Sequence, residues 1–91
     1  MIQIRDFEWD SINLEHIYGH RVRDYEAEEV LLFDKPIYYR RENGKFCAFG
    51  ITESGRYLFI VLAVKGSSLI RVITAREMTK TERSLYNRRQ R

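Results

Sequence analysis

The stretch that most constrains the fold runs from residue 57 to residue 86. Its first part, Tyr57 to Val64, is continuously apolar and rich in branched and aromatic side chains. Such a run suits a strand covered on both faces, in the middle of a sheet. After a Gly66-Ser67-Ser68 turn, the chain from Leu69 to Arg76 alternates instead. Regular alternation puts Leu69, Arg71, Ile73 and Ala75 on one face and Ile70, Val72, Thr74 and Arg76 on the other, so each face carries one arginine. Thr79-Lys80-Thr81-Glu82 then matches a capping box, with the threonine hydroxyl accepting from the backbone three residues on and the glutamate reaching back. A helix starts there, with Glu82 and Tyr86 on one face and Arg83 beside them. The two strand arginines and the helical Arg83/Tyr86 pair are expected to converge on one phosphate-sized site.

The chain before this stretch reads as a short strand and two helices. Residues 2 to 9 alternate loosely and suit an edge strand. Asp10 can cap a short helix through about Ile17, ended by Gly19 in a left-handed conformation. Asp24 can cap a second helix from Tyr25 to Phe33, with Ala27, Val30, Leu31 and Phe33 inward and Glu26, Glu28 and Glu29 outward. Asp34-Lys35-Pro36 stops it. Ile37 to Arg41 and Lys45 to Glu53 flank Asn43-Gly44, a strong hairpin signal, with Glu42 and Lys45 placed to pair across the turn. The predicted order is βααββββα. This is an α+β fold in which helices pack on a four-stranded antiparallel meander extended by an N-terminal edge strand.

Ninety-one residues, 44% hydrophobic and 32% charged, fit one domain over residues 1–91 with a single modest core. The N-terminus shows no leader pattern and no apolar stretch approaches the ~20 residues that span a bilayer, so a cytoplasmic protein without a membrane partner is expected. Cys47, the single cysteine, reads as a buried, inert thiol. The net charge of +3 is unevenly divided. Residues 1–34 hold three basic and nine acidic side chains, a balance of −6, whereas residues 35–91 hold thirteen and four, a balance of +9. The basic half suits a polyanion such as RNA or DNA, through Arg21, Arg40, Arg41, Lys45 and Lys80 among others; the plainer reading is a solvated surface.

No Gly-rich phosphate loop, nucleophile elbow, dinucleotide fingerprint or magnesium-holding carboxylate cluster is present. His16 and His20 have the spacing of paired metal ligands but lack a third ligand, so neither a metal nor another cofactor is expected. The abundant functional groups are Arg, Tyr, Glu and His. They suit RNA cleavage without a metal: a base takes the ribose 2′-hydroxyl proton, arginines stabilise the phosphorane, and an acid protonates the leaving 5′-oxygen. Arg71 and Arg76 are the candidate clamps, because a guanidinium presents two parallel donors to phosphate. His20 or Glu82 is the candidate base, and Tyr86 or His20 the candidate acid. Alternatively, both arginines are structural partners of Glu77 or Glu82.

Phe7-Glu8-Trp9-Asp10, His20-x-Val22, Ile70-Arg71-Val72-Ile73-Thr74-Ala75-Arg76 and Thr79-x-x-Glu82-Arg83-x-x-Tyr86 occur in this order along nearly the whole chain. Together they resemble the BrnT family of toxins from type II toxin–antitoxin pairs. The resemblance implies a RelE-like ribonuclease fold and cleavage of RNA, chiefly messenger RNA. It also implies a cognate antitoxin that covers the toxin and carries a ribbon-helix-helix part, so that the complex reaches operator DNA indirectly; a dimer is a further expected partner state. Carried over, it selects His20, Arg71, Arg76, Glu82, Arg83 and Tyr86 as site residues, with Trp9 and Asp10 structural. One departure stands out: the family pattern Lys-His-Gly-Val reads Gly19-His20-Arg21-Val22 here. A role for that lysine would pass to Arg21 or be lost.

Overall fold

The computed structural model describes residues 2–90. Eight elements follow in the order β1 (Asp6–Phe7), α1 (Ser11–Gly19), α2 (Asp24–Leu32), β2 (Ile37–Arg40), β3 (Lys45–Ile51), β4 (Tyr57–Lys65), β5 (Leu69–Glu77) and α3 (Lys80–Arg89). The five strands form one sheet in the order β1-β5-β4-β3-β2. Strands β2 to β5 are antiparallel neighbours, and β1 lies parallel to β5 at the edge. The continuously apolar β4 is central, as its composition predicts. The βααββββα order and the α+β class are those read from the sequence.

One sheet face holds the core. Ile17 from α1, Ala27, Val30 and Leu31 from α2, and Ala48, Leu58, Ile60, Leu62, Ile70, Val72 and Ala75 from the strands are buried together. Asn13 ties α1 to this face, its side-chain amide donating to the carbonyls of Glu8 and Val72, each at 2.9 Å. Between β2 and β3 the Arg41 N–H bonds the Lys45 carbonyl at 2.8 Å around a three-residue loop, in which Asn43 and Gly44 take left-handed φ values of 59° and 71°.

The structure corrects several expectations, each for a traceable reason. β5 does not alternate throughout. Val61 pairs with Thr74 and Leu62 with Val72, so Ile73 is an unpaired bulge residue. Ile70, Val72 and Ala75 therefore all face the helices. Arg71 and Arg76 lie opposite Ala63 and Phe59, and both arginines share the other face. Helix α1 continues through Gly19 and ends at His20; the left-handed residue is Arg21, at φ 61°. There the N–H of Val22 bonds the carbonyl of Ile17 at 3.0 Å and that of Arg21 bonds Tyr18 at 2.9 Å, a Schellman ending. It buries Val22 with Ile17, and that contact sets the stop two residues later than glycine preference alone would.

Helix α2 is capped at Arg23, whose N–H donates to Glu26 at 3.0 Å. Glu26 is buried rather than outward because Arg56 reaches it at 2.7 Å while also gripping Glu77 at 3.0 Å. Glu28 and Glu29 are half-buried too, accepting from the Trp9 indole at 2.7 Å and the Glu53 N–H at 3.2 Å. Phe33 is exposed, because the helix ends before turning it inward. The N-terminal strand shrinks to two paired residues, prolonged by backbone bonds from Arg5 to Ser68 and Glu8 to Ile70. Across the hairpin, Glu42 and Lys45 are joined through their backbones at 3.3 Å. No helix among the described residues is long and apolar enough to cross a membrane.

Candidate functional site

The face of the sheet away from α1 and α2 is covered at one end only, by α3. The capping box forms as the residue types dictate: Thr79 Oγ1 accepts from the Glu82 N–H at 3.1 Å and Glu82 Oε1 accepts from the Thr79 N–H at 2.9 Å. The same carboxylate takes Arg76 with both oxygens, at 2.8 and 3.0 Å. Arg76 also donates to the Glu77 carbonyl at 3.0 Å, and its guanidinium lies 4.3 Å from the Phe59 ring centre. Helix start, strand end and aromatic surface thus fix one guanidinium at the mouth of the open face. The Arg76 hydrogen bond, with the Thr79 N–H assisting, holds the Glu82 carboxyl below its ordinary value despite partial burial.

Arg83 lies one residue further on, its guanidinium 4.1 Å from the Tyr57 ring centre. Tyr86 is buried edge-on to Tyr57, and its hydroxyl points to Asp34 Oδ2 at 3.5 Å. Burial first, and the Asp34 carboxylate second, push the phenol up to about 12. Asp34 is braced by the Ile51 N–H at 2.9 Å. It can come this close because residue 50 is glycine: a Cβ there would stand 2.7 Å from Asp34 Oδ2 and 2.6 Å from Val30 Cγ1.

Of the residues singled out in the sequence, Arg76, Glu82, Arg83 and Tyr86 gather at this end. Arg71 shares the face but not the site: its level on β4 is four residues away, about 13 Å along the strand. It is paired with Asp10 at 2.9 Å and Glu8 at 3.2 Å, and Lys65 joins Glu8 at 2.8 Å. The Arg71 hydrogen bond, foremost, lowers the pKa of Asp10, which also caps α1. Of the structural ion pairs anticipated for the arginines, that of Arg76 with Glu82 exists, whereas Arg71 pairs with Asp10 and Glu8 and with neither Glu77 nor Glu82.

Lys45 stands beside Ala63 and across from Arg71. With Arg41, Val61 and Ile73 it lines an open cleft of about 500 Å³. Lys80 is the first residue of α3. Arg40 packs over Phe46, 5.8 Å from its ring centre. His20 and Arg21 are elsewhere, at the end of α1 in the helical layer, where the His20 ring meets His16 edge-on at 5.3 Å. No cluster of three or more His, Cys, Asp or Glu is gathered for a metal among the described residues. Cys47 is buried, and that burial raises its thiol pKa.

Sequence reasoning missed Asp34, Tyr39 and Arg89 as parts of this end. Arg89 donates to the Tyr39 hydroxyl at 2.8 Å across an interval of 50 residues, which no local pattern signals. The open face as a whole carries Arg76, Arg83 and Arg89 at the α3 end and Arg41, Lys45 and Arg71 at the other, with Val61 and Thr74 between. Such an arrangement can hold successive phosphates of an extended polyanion.

Comparison with known proteins bears on the family and the fold. The profile of the family described as "Ribonuclease toxin, BrnT, of type II toxin-antitoxin system" matches residues 9–82. No curated protein sequence matches the chain. A 1.1 Å crystal structure of the Brucella abortus ribonuclease toxin BrnT superimposes with a TM-score of 0.64, at 15% identity, over 88% of this chain and 100% of that one. That likeness bears on the fold.

Proposed function

This chain belongs to the BrnT family of ribonuclease toxins of type II toxin–antitoxin systems, and from that membership we propose a metal-independent endoribonuclease acting through the ribose 2′-hydroxyl at the α3 end of the open face. The observation that carries the reading is the double engagement of Glu82. In the free protein it neutralises Arg76 with both oxygens. A substrate phosphate offers the guanidinium the same bidentate acceptor. When phosphate takes Arg76, Glu82 loses the contact that most depresses its pKa and becomes a stronger base beside the bound nucleotide. One exchange thus delivers both the clamp and the base.

In this reading Arg76 and Arg83 stabilise the charge that develops on the phosphorane, and Glu82 takes the 2′-hydroxyl proton. Tyr86 holds its proton to high pH and serves as the acid, its hydroxyl turned to Asp34 in the free protein. Arg71 and Lys45 guide the strand at the far end of the face, with Arg41 and Lys80 as further phosphate contacts. His20, Arg21 and Arg40 lie off this path. A cognate antitoxin, of the ribbon-helix-helix type and linking the complex to operator DNA, neutralises the enzyme by covering the face. An RNA substrate places the action in the cytoplasm.

The test is incubation of purified, partner-free protein with labelled single-stranded RNA in EDTA, comparing wild type with Arg76→Ala. Fragments ending in 2′,3′-cyclic phosphate from the wild type alone are expected. RNA left intact by folded wild-type protein would overturn the catalytic reading. It would favour a binding module, which the internal pairing of Arg71 and Arg76 also fits.

A further inference from the structure

We infer that the apolar pocket between α3 and the sheet receives one unstacked nucleobase of the RNA strand, beside the phosphate held by Arg76. The pocket has a volume of about 340 Å³, within the range of small-ligand sites. Its walls are aromatic and flat. Tyr39 and Phe49 meet edge to face at 5.8 Å, and Leu85 closes the helix side above Cys47. Tyr39 and Leu85 are 42% and 50% exposed, so the walls are reached from solvent.

Charge at the rim identifies the occupant. On one side Arg89 lies 5.7 Å from the Tyr39 ring centre, positioned by the tyrosine hydroxyl. On the other side Glu82 both lines the pocket and holds Arg76. Phe49 touches Phe59 at 5.0 Å between ring centres, and Arg76 stands on Phe59. The clamp is therefore one aromatic ring away from the pocket. A flat apolar body joined to an anion satisfies all of these features, and a nucleotide is such a body. Bases stack on aromatic faces with little sequence demand, while single-stranded RNA leaves them free to do so. An apolar side chain of a partner protein would fill the walls but offer no anion to Arg89 at the rim or to Arg76 beyond Glu82.

The inference rests on Arg76 as the phosphate clamp, so the experiment separates the two. The probes are five-nucleotide 2′-O-methyl RNAs, which resist cleavage, identical except for a single abasic position walked along the strand. Binding is read by fluorescence anisotropy at low salt, with folding of each variant verified by circular dichroism. For wild type, one abasic position should weaken binding roughly five- to hundred-fold. Leu85→Trp, which fills the pocket, and Tyr39→Ala, which removes a wall, should weaken the intact oligonucleotide similarly and lose discrimination against that abasic position. Arg76→Ala should weaken every oligonucleotide while the abasic penalty persists. Equal binding of all abasic positions by wild type, with Arg76→Ala still weak, would refute the base pocket and leave the clamp standing. An Arg76→Ala variant that binds as wild type would refute the clamp and the inference with it. Leu85→Trp that keeps full RNA affinity but loses the antitoxin would assign the pocket to the protein partner and overturn the inference.

Discussion

Replacing Arg21 by glycine should make the protein more stable, although it removes a charged side chain and adds backbone freedom. Arg21 stands in the left-handed region at φ 61° while its N–H and that of Val22 complete the end of α1. A side chain there crowds the following carbonyl at a cost of about 1–2 kcal/mol. Glycine relieves that strain and gives back about 0.5–1 kcal/mol through the greater freedom of the unfolded chain. The difference leaves about 0.5–1 kcal/mol in favour of glycine, which for a domain of this size raises Tm by about 2–8 °C. Arg21→Ala is the necessary control, because it removes the same side chain and keeps the strain. Thermal melts followed by circular dichroism, repeated as urea titrations, give the glycine-minus-alanine difference directly. An Arg21→Gly variant no more stable than Arg21→Ala would show that the left-handed ending is not strained, and the argument for a glycine preference at this position would fall.

Gly50→Ala should destabilise by about 1–3 kcal/mol through overpacking against Val30 and Asp34; a urea midpoint equal to wild type would mean the strand yields freely there. Ile60→Ala, fully buried in the central strand, should cost about 2–5 kcal/mol, and a loss below about 0.5 kcal/mol would contradict the packing of β4. Acid should weaken the α3 anchor. Glu82 has a folded pKa below its ordinary value of 4.5, so its contribution is fully present above that pH and declines as pH falls through the folded value. The Tm gap between wild type and Glu82→Gln should accordingly narrow below about pH 4.5, and a gap that widens in acid would reverse the assignment.

Features carried by short, dense signals were legible from residue types alone. The unbroken apolar run set β4 in the centre, Asn43-Gly44 placed the hairpin, and Thr79 with Glu82 started α3. Long-range partnerships were not legible. Glu26 looks like an outward residue until Arg56, thirty positions later, is folded over it. Arg71 finds Asp10 across 61 residues, and Tyr86 finds Asp34 across 52. The stop of α1 misled for a different reason. Gly19 is the residue best suited to a left-handed ending, but burying Val22 against Ile17 outweighs the local preference and shifts that conformation to Arg21. At the site, the helical cluster was foreseen and its closeness to Arg76 was too; the separate attachment of Arg71 was not.

The bulge at Ile73 changes how insertions and deletions act on β5. Before it, the outward positions are odd-numbered, Leu69 and Arg71; after it they are even, Thr74 and Arg76. Two residues five apart on one face of a strand are incompatible with strict alternation, so the spacing of the two arginines is itself the trace of a half-step in the ladder. Losing Ile73 would close the ladder and leave every other side chain on its present face. Losing a residue from the paired positions on either side would exchange inside for outside over the remainder of that half. In β5, therefore, length variation has a neutral place at Ile73, where the number of residues between the arginines can change while their levels on β4 and the core beneath them stay as they are.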